Sequence, residues 1–264
     1  LEHLGFASPR DTTVNAFLGY ATRTYRRPAR GTRDWKMLLL SANLPAIPRA
    51  GVIQPIEGDR WIVTVAGYGK HYPPTDEAGF LEFAKTLTHP ALYEAIKDAE
   101  PLTPIVGYQR TDNRLRHFER LARWPERFVV LGDAVCAFNP VYGQGMSVAA
   151  LEAEALGACL AARARRGRTD GRDELRGLGH ELQRRLPAIT RTPWLLATGE
   201  DFCMPETTGI RPGGLAALLR GYTDRVIALS AEDRDAHLAF SEVLQLVRPP
   251  TALFQPKIVA RVVR

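Results

Sequence analysis

The chain has 264 residues, of which 45% are hydrophobic and 24% charged, with 22 Gly and 19 Pro. That is a globular balance, long enough for one large core or two modest ones, and it excludes a disordered chain, a collagen-like repeat and any uninterrupted apolar run near the roughly 20 residues of a membrane span. Thirty Arg and five Lys against 29 acidic residues leave a net charge of +6, too thinly spread to read as a nucleic-acid surface.

Residues 1–12 are polar and irregular, and Thr13 to Tyr25 mixes small, aromatic and β-branched residues as a long half-buried strand does. Trp35 to Leu40 is a second apolar run, closed by Asn43, Pro45 and Pro48. Val52–Ile56 and Trp61–Tyr68 flank Glu57-Gly58-Asp59-Arg60, a hairpin signal. Four such runs without helical periodicity between them predict an antiparallel sheet. Phe80, Phe83 and Leu87 place a helix from about Asp76, stopped by Pro90. Ile105–Tyr108 is extended and leads into a segment carrying Arg114, Arg116, Arg120 and Arg123, which reads as a solvated basic face.

Phe128-Val129-Val130-Leu131 has the look of a strand buried on both faces. After the loop from Gly132 to Gly145, the residues Met146, Ala149, Ala150, Ala153, Leu156, Gly157 and Leu160 recur at helical spacing and predict one long helix with a small-residue face. Arg163 to Asp173 is the best candidate boundary, and helices are expected around Glu174–Leu186, Leu215–Ser230 and Ala231–Val247. The loops between them include Met204-Pro205-Glu206 and Arg211-Pro212-Gly213-Gly214.

The odd set Cys136, Cys159 and Cys203 shares no CxxC spacing, so neither a disulfide framework nor a thiolate metal site is expected, and a cytoplasmic location is the default. Six scattered histidines, without HExxH or a Cys partner, assign no metal. Gly145-Met146-Ser147 superficially suggests a nucleophile elbow, but Ser147 lies fourteen residues past Asp133 inside the predicted helix rather than in a turn directly after a strand.

Chemistry concentrates in Val129-Val130-Leu131-Gly132-Asp133-Ala134 and Phe138-Asn139-Pro140-Val141-Tyr142-Gly143-Gln144-Gly145-Met146. Gly132 lets the chain turn after the apolar run, and Asp133 then stands where open α/β sheets collect ligand-binding groups. Its carboxylate can accept hydrogen bonds from polyol hydroxyls. Gly143 and Gly145 allow a flat or anionic ligand to approach the backbone at a helix start, where first-turn N–H groups are free. A polyol on Asp133 with an electron-rich ring against Gly143–Gly145 describes a flavin-like ligand; an Asp capping a turn beside packing glycines is the alternative.

Gly132-Asp133 followed by Pro140-x-x-Gly143-x-Gly145-Met146 at a helix start resembles the second flavin-binding motif of the FAD-dependent aromatic hydroxylases, the para-hydroxybenzoate hydroxylase-like monooxygenases. The resemblance implies that Gly132, Asp133, Pro140, Gly143, Gln144, Gly145 and Met146 line FAD, with Asp133 on the ribityl chain and the 143–146 backbone beside the isoalloxazine. It also implies that the preceding sheet is the family's substrate domain. The family opens with a strand, a Gly-x-Gly-x-x-Gly turn and a helix; here Gly67-Tyr68-Gly69 runs into Lys70-His71-Tyr72 without a third glycine, and Leu1 stands where Met would. The chain therefore reads as the C-terminal part of a flavoprotein whose N-terminal FAD-binding unit lies outside it.

The expected fold is α+β: an antiparallel or mixed substrate-domain sheet, the C-terminal part of an FAD-binding, Rossmann-like domain, and a helical tail. The expected domains are a β-rich substrate domain at 1–126, the second flavin-binding segment at 127–165 and a helical region at 166–264. The resemblance implies an FAD-dependent oxidoreductase, most plainly a monooxygenase using NAD(P)H and O2 on a small aromatic or isoprenoid-like substrate. The alternatives are a geranylgeranyl-reductase-like flavin reductase and a non-catalytic flavoprotein remnant that binds a ligand or partner. No side chain is assigned as catalytic base, and no nucleic-acid partner or transmembrane segment is expected.

Overall fold

The computed structural model describes residues 1–28, 35–165, 175–211 and 213–262, without the side chains of residues 215–218. Most of the expected boundary at Arg163 to Asp173, the start of the helix placed at Glu174, and Pro212 lie outside the described residues. The fold is α+β with antiparallel sheets. The chain divides into two compact units, one of Val14–Asp112 with Asp201–Thr208, the other of Leu1–Thr13, Asn113–Glu200 and Gly209–Arg264.

The first strand, β1 (Asp11–Val14), is separated from β2 (Gly19–Arg26). The single strand expected over Thr13 to Tyr25 is thus broken. Asn15 Oδ1 accepts the N–H of Phe17 at 2.8 Å, and Phe17 takes a left-handed φ of 49°. That local bond turns the backbone out of the ladder. Beyond it follow β3 (Leu38–Leu40), β4 (Arg49–Ile56) and β5 (Arg60–Gly67). The β4–β5 hairpin pairs Ile56 with Arg60 around Gly58 and Asp59, both at positive φ. With β6 (Val106–Tyr108) these strands form one sheet in the order β3-β4-β5-β2-β6.

Helix α1 (Glu77–Lys85) begins where Asp76 accepts the N–H of Gly79 at 2.8 Å. Pro90 closes the stretch after it and opens α2 (Ala91–Ile96). Phe80, Phe83, Leu87, Leu92 and Ile96 bury against Ala21, Ile53, Val63 and Val65 of the sheet. A second, smaller cluster joins Ala16, Leu18, Ala50, Ala66 and Tyr68 to Met204, and Asn15 and Thr208 exchange backbone bonds at 3.1 and 3.0 Å. Gly67 closes β5 so tightly that a Cβ there would lie 1.8 Å from the carbonyl oxygen of His71. The Gly67-Tyr68-Gly69 pair therefore serves a turn.

The other unit holds β7 (Asn113–Arg116) and β8 (Cys136–Ala137), which form a three-stranded sheet with β1 in the order β1-β7-β8. Its helices are α3 (Gly145–Arg165), α4 (Leu178–Asp201), α5 (Gly214–Ser230), α6 (Arg234–Leu244) and α7 (Pro256–Val262). Val130, Val135, Val148, Cys159, Leu178, Leu182 and Leu186 make one core, and Val226, Ala239, Val243, Leu253 and Ile258 make another. By length and composition alone α3 could cross a membrane: its most apolar window has a mean hydropathy of 1.3 and is 17% buried.

Two expectations about this unit are corrected. Phe128–Leu131 is not a strand: its residues join no ladder, and Phe128 and Val129 are 41% and 36% exposed. Side chains take its backbone groups instead, Trp124 Nε1 donating to the carbonyl of Phe128 and Gln183 Nε2 to that of Val130, each at 2.7 Å. The face of α3 is also different. Met146 is 88% and Leu160 40% exposed, while Val148, Glu152 and Cys159 are buried.

Candidate functional site

The 132–146 segment lies wholly in the helical unit. Gly132, at φ 62°, bends the extended chain into a single 3-10 turn, Gly132–Ala134, closed by the N–H of Val135 on the carbonyl of Gly132 at 2.8 Å. The positive φ is what a side-chain-bearing residue resists there. Asp133 is exposed and accepts no hydrogen bond among the described residues.

The turn is held from beneath by Glu152. This side chain on α3 is fully buried, and its Oε2 accepts the N–H of Gly132 at 2.6 Å while Oε1 has no partner among the described residues. Burial pushes the Glu152 carboxyl above its ordinary range, and the nearby Asp133 carboxylate adds to the effect against the Gly132 bond. The same surroundings raise the Cys136 thiol, chiefly through burial and then through Glu152 and Asp133. Cys136 is thereby an inert packing group rather than a nucleophile.

After β8 the chain reaches Asn139, which is 1% exposed. Its N–H donates to Asn113 Oδ1 at 2.8 Å, and its own Oδ1 accepts the N–H of Val141 as cap of the 3-10 turn Pro140–Tyr142. Gly143 ends that turn at φ 65°, with open space where a Cβ would be. Gln144 is buried; its carbonyl accepts the first helical N–H, from Val148, and its Nε2 donates to the carbonyl of Leu244 at 3.3 Å. Two buried amide atoms are left over: Asn139 Nδ2, a donor, and Gln144 Oε1, an acceptor.

The segment's two halves converge at the start of α3. A Cβ on Gly145 would stand 3.6 Å from Asp133 Oδ1, and one on Gly132 would stand 3.6 Å from the Cβ of Ala149. Pro140 and Gly143 sit on the exposed loop between them, and Met146 projects outward. While the two leftover amide atoms are shut off from solvent, the arrangement presents free first-turn N–H groups and an unengaged carboxylate around a backbone kept bare by glycine. Those are groups suited to a ligand carrying both hydroxyls and ring carbonyls, and they fit a flavin nucleotide. Glu152, Asn139 and Asn113 were not read as functional from the sequence. The signal for Glu152 was a carboxylate four residues after Val148 on an otherwise apolar helical stripe; nothing local marked Asn113.

No family model matches the chain. It is 28% identical to Protein Rv3254 of Mycobacterium tuberculosis (strain ATCC 25618 / H37Rv) over 208 residues, 79% of this chain and 42% of that protein. A flavoprotein/dehydrogenase from Cytophaga hutchinsonii matches 92% of this chain over 52% of its own length, at 13% identity and a TM-score of 0.56. The myxobacterial chondrochloren halogenase CndH, described as a new variant of FAD-dependent halogenases, matches 84% of this chain over 51% of its own, at 14% identity and a TM-score of 0.51. The chain thus spans about half the length of these proteins. It shares the fold of these flavoproteins, and at the level of fold the resemblance read from its motif is borne out.

Proposed function

We propose that the chain is the flavin-facing part of an FAD-dependent oxidoreductase of the aromatic hydroxylase-like family, acting as a monooxygenase on a small organic substrate. The observation that carries the reading is the meeting of Asp133 and Gly145 at the start of α3, directly after the bare turn at Gly143. The flavoprotein fold of the neighbours supports it. When bound, FAD would supply the redox chemistry, accepting electrons from NAD(P)H and passing them to O2. The residues of this chain bind and orient. Asp133 would accept ribityl hydroxyls, and the free N–H groups at Gly145 and Met146 would face electron-rich ring oxygens. Gly132 and Gly143 hold the backbone in conformations that keep side chains away, Pro140 and Gln144 fix the loop, and Glu152 keeps the Gly132 turn in place.

The test is FAD affinity, followed by flavin fluorescence in the longest form of the protein that its coding frame supplies. Asp133→Ala should weaken binding about tenfold to a hundredfold, the worth of a hydrogen bond to a charged group, with an unchanged circular dichroism spectrum. An unaltered dissociation constant in Asp133→Ala would return Asp133 to the role of a turn residue and overturn the assignment.

A further inference from the structure

The helical unit contains a cavity of about 210 Å3 between β7, the 3-10 turn that follows it at Phe118–Arg120, and the middle of α4. Val135, and Arg116 through its bond to the carbonyl of Ala134, connect it to the Gly132 turn. The floor and walls are Leu115, Val135, Leu186, Trp194 and Leu195. Leu186 is fully buried, whereas Leu195 is 49% exposed at the mouth.

The charges around it are unequal. Arg116, Arg120 and Arg191 line the cavity against a single carboxylate, Glu119. That carboxylate is already engaged: Oε1 lies 2.9 Å from His117 Nδ1 and 3.3 Å from Arg120 Nε. His117 is pinned from its other side, with Nε2 2.8 Å from Thr12 Oγ1, so neither partner is free to swing into the cavity. Arg116 stands 3.6 Å from Asp11 and donates to the carbonyl of Ala134 at 3.3 Å. Arg191 makes no ion pair among the described residues, and on α4 it lies one turn from Trp194 and Leu195. The result is an apolar recess with surplus positive charge at its edge.

We infer that this recess binds a small amphipathic monoanion, a carboxylic acid with an aromatic or short acyl body. The carboxylate pairs with Arg191, whose planar fork matches carboxylate geometry, and the body covers Trp194 and Leu195. The volume is below the roughly 300–1,000 Å3 of sites for drug-sized ligands, which limits the occupant to one or two rings or an equivalent chain. Neither the recess nor its ligand depends on the flavin reading.

Naphthoate titrated into the 264-residue chain tests this, followed by the amide NMR spectrum, with naphthylmethanol as the uncharged counterpart. Naphthoate should shift amides of residues 115–120 and 186–195. Naphthylmethanol, and naphthoate with Arg191→Gln, should each bind about tenfold more weakly, as expected for one lost charge-assisted contact. Arg191→Lys, which keeps the charge and loses the planar fork, should bind with an affinity between those of the parent and Arg191→Gln. Arg191 is exposed, so its variants keep the remainder of the spectrum and report binding rather than folding. Shifts absent from both segments, or equal affinity for the acid and the alcohol, or an affinity that Arg191→Gln leaves intact, would each overturn the proposal.

Discussion

Glu152 is a carboxyl group placed where ionisation is costly and yet used as an acceptor. Its Oε2 holds the N–H of Gly132, its Oε1 holds nothing among the described residues, and the side chain is shut off from solvent. Because its pKa is raised in the folded chain, the native state binds the proton more tightly than the unfolded state. The stability it contributes is full below the ordinary carboxylate range and is lost as pH rises through the raised value. Glu152→Gln keeps an acceptor for Gly132 and removes the titration. Its unfolding free energy, measured by urea denaturation between pH 4 and pH 8 (a window set by ordinary carboxylate values of about 4.3), should fall less steeply with pH than that of the parent. Parallel pH profiles for the two proteins would mean that Glu152 does not titrate differently in the native state. The second expected effect at this scale is Gly143→Val. Its φ of 65° is one that a branched residue resists, so the variant should cost about 1–3 kcal/mol of stability, read as a lowered thermal midpoint.

At the scale of elements, the run Phe128–Leu131 shows how an apolar segment can be settled without a ladder. Gln183, itself 1% exposed, reaches from α4 to the carbonyl of Val130. Gln183→Leu keeps the bulk and removes the donor, which leaves a buried carbonyl unpaired at a cost of about 1–3 kcal/mol. Hydrogen exchange of the amides from Val130 to Val135 should quicken with it; unchanged exchange would show that the run is held by apolar packing alone. The sequence could not disclose this arrangement, because four consecutive apolar residues are equally compatible with a buried strand and with an extended segment braced by distant side chains. The hairpin was legible for the opposite reason, since Gly58 and Asp59 carry the positive φ values locally. So was α1, whose Asp76 cap and Phe80–Phe83 spacing are both within one turn of chain. The break at Phe17 was not, because it depends on one side-chain bond from Asn15 within an otherwise strand-like run. In the candidate site, the glycines and Asp133 could be read from order and spacing. Asn113 and Glu152, 26 residues before Asn139 and 20 residues after Gly132, are brought in only by folding.

For the molecule as a whole, α3 leaves Met146 and Leu160 uncovered. Exposed apolar surface of this kind favours association. Sedimentation should show concentration-dependent self-association of the chain, and Leu160→Glu should move its midpoint to about tenfold higher concentration, the effect of leaving one leucine unburied. A monomer at every concentration would refute this. The two clusters of the sheet-bearing unit differ in another way, in when they become possible. The larger one draws its buried residues from Ala21 to Ile96, whereas the smaller needs Met204, and the bonds of Asn15 need Thr208. Chains fold from the N-terminus as they emerge from the ribosome. The larger core can therefore close early in synthesis, while Asn15 to Leu18 must wait for a segment made long afterwards. During that interval those residues, of which Ala16 and Leu18 are buried in the finished protein, are open to chaperones and proteases.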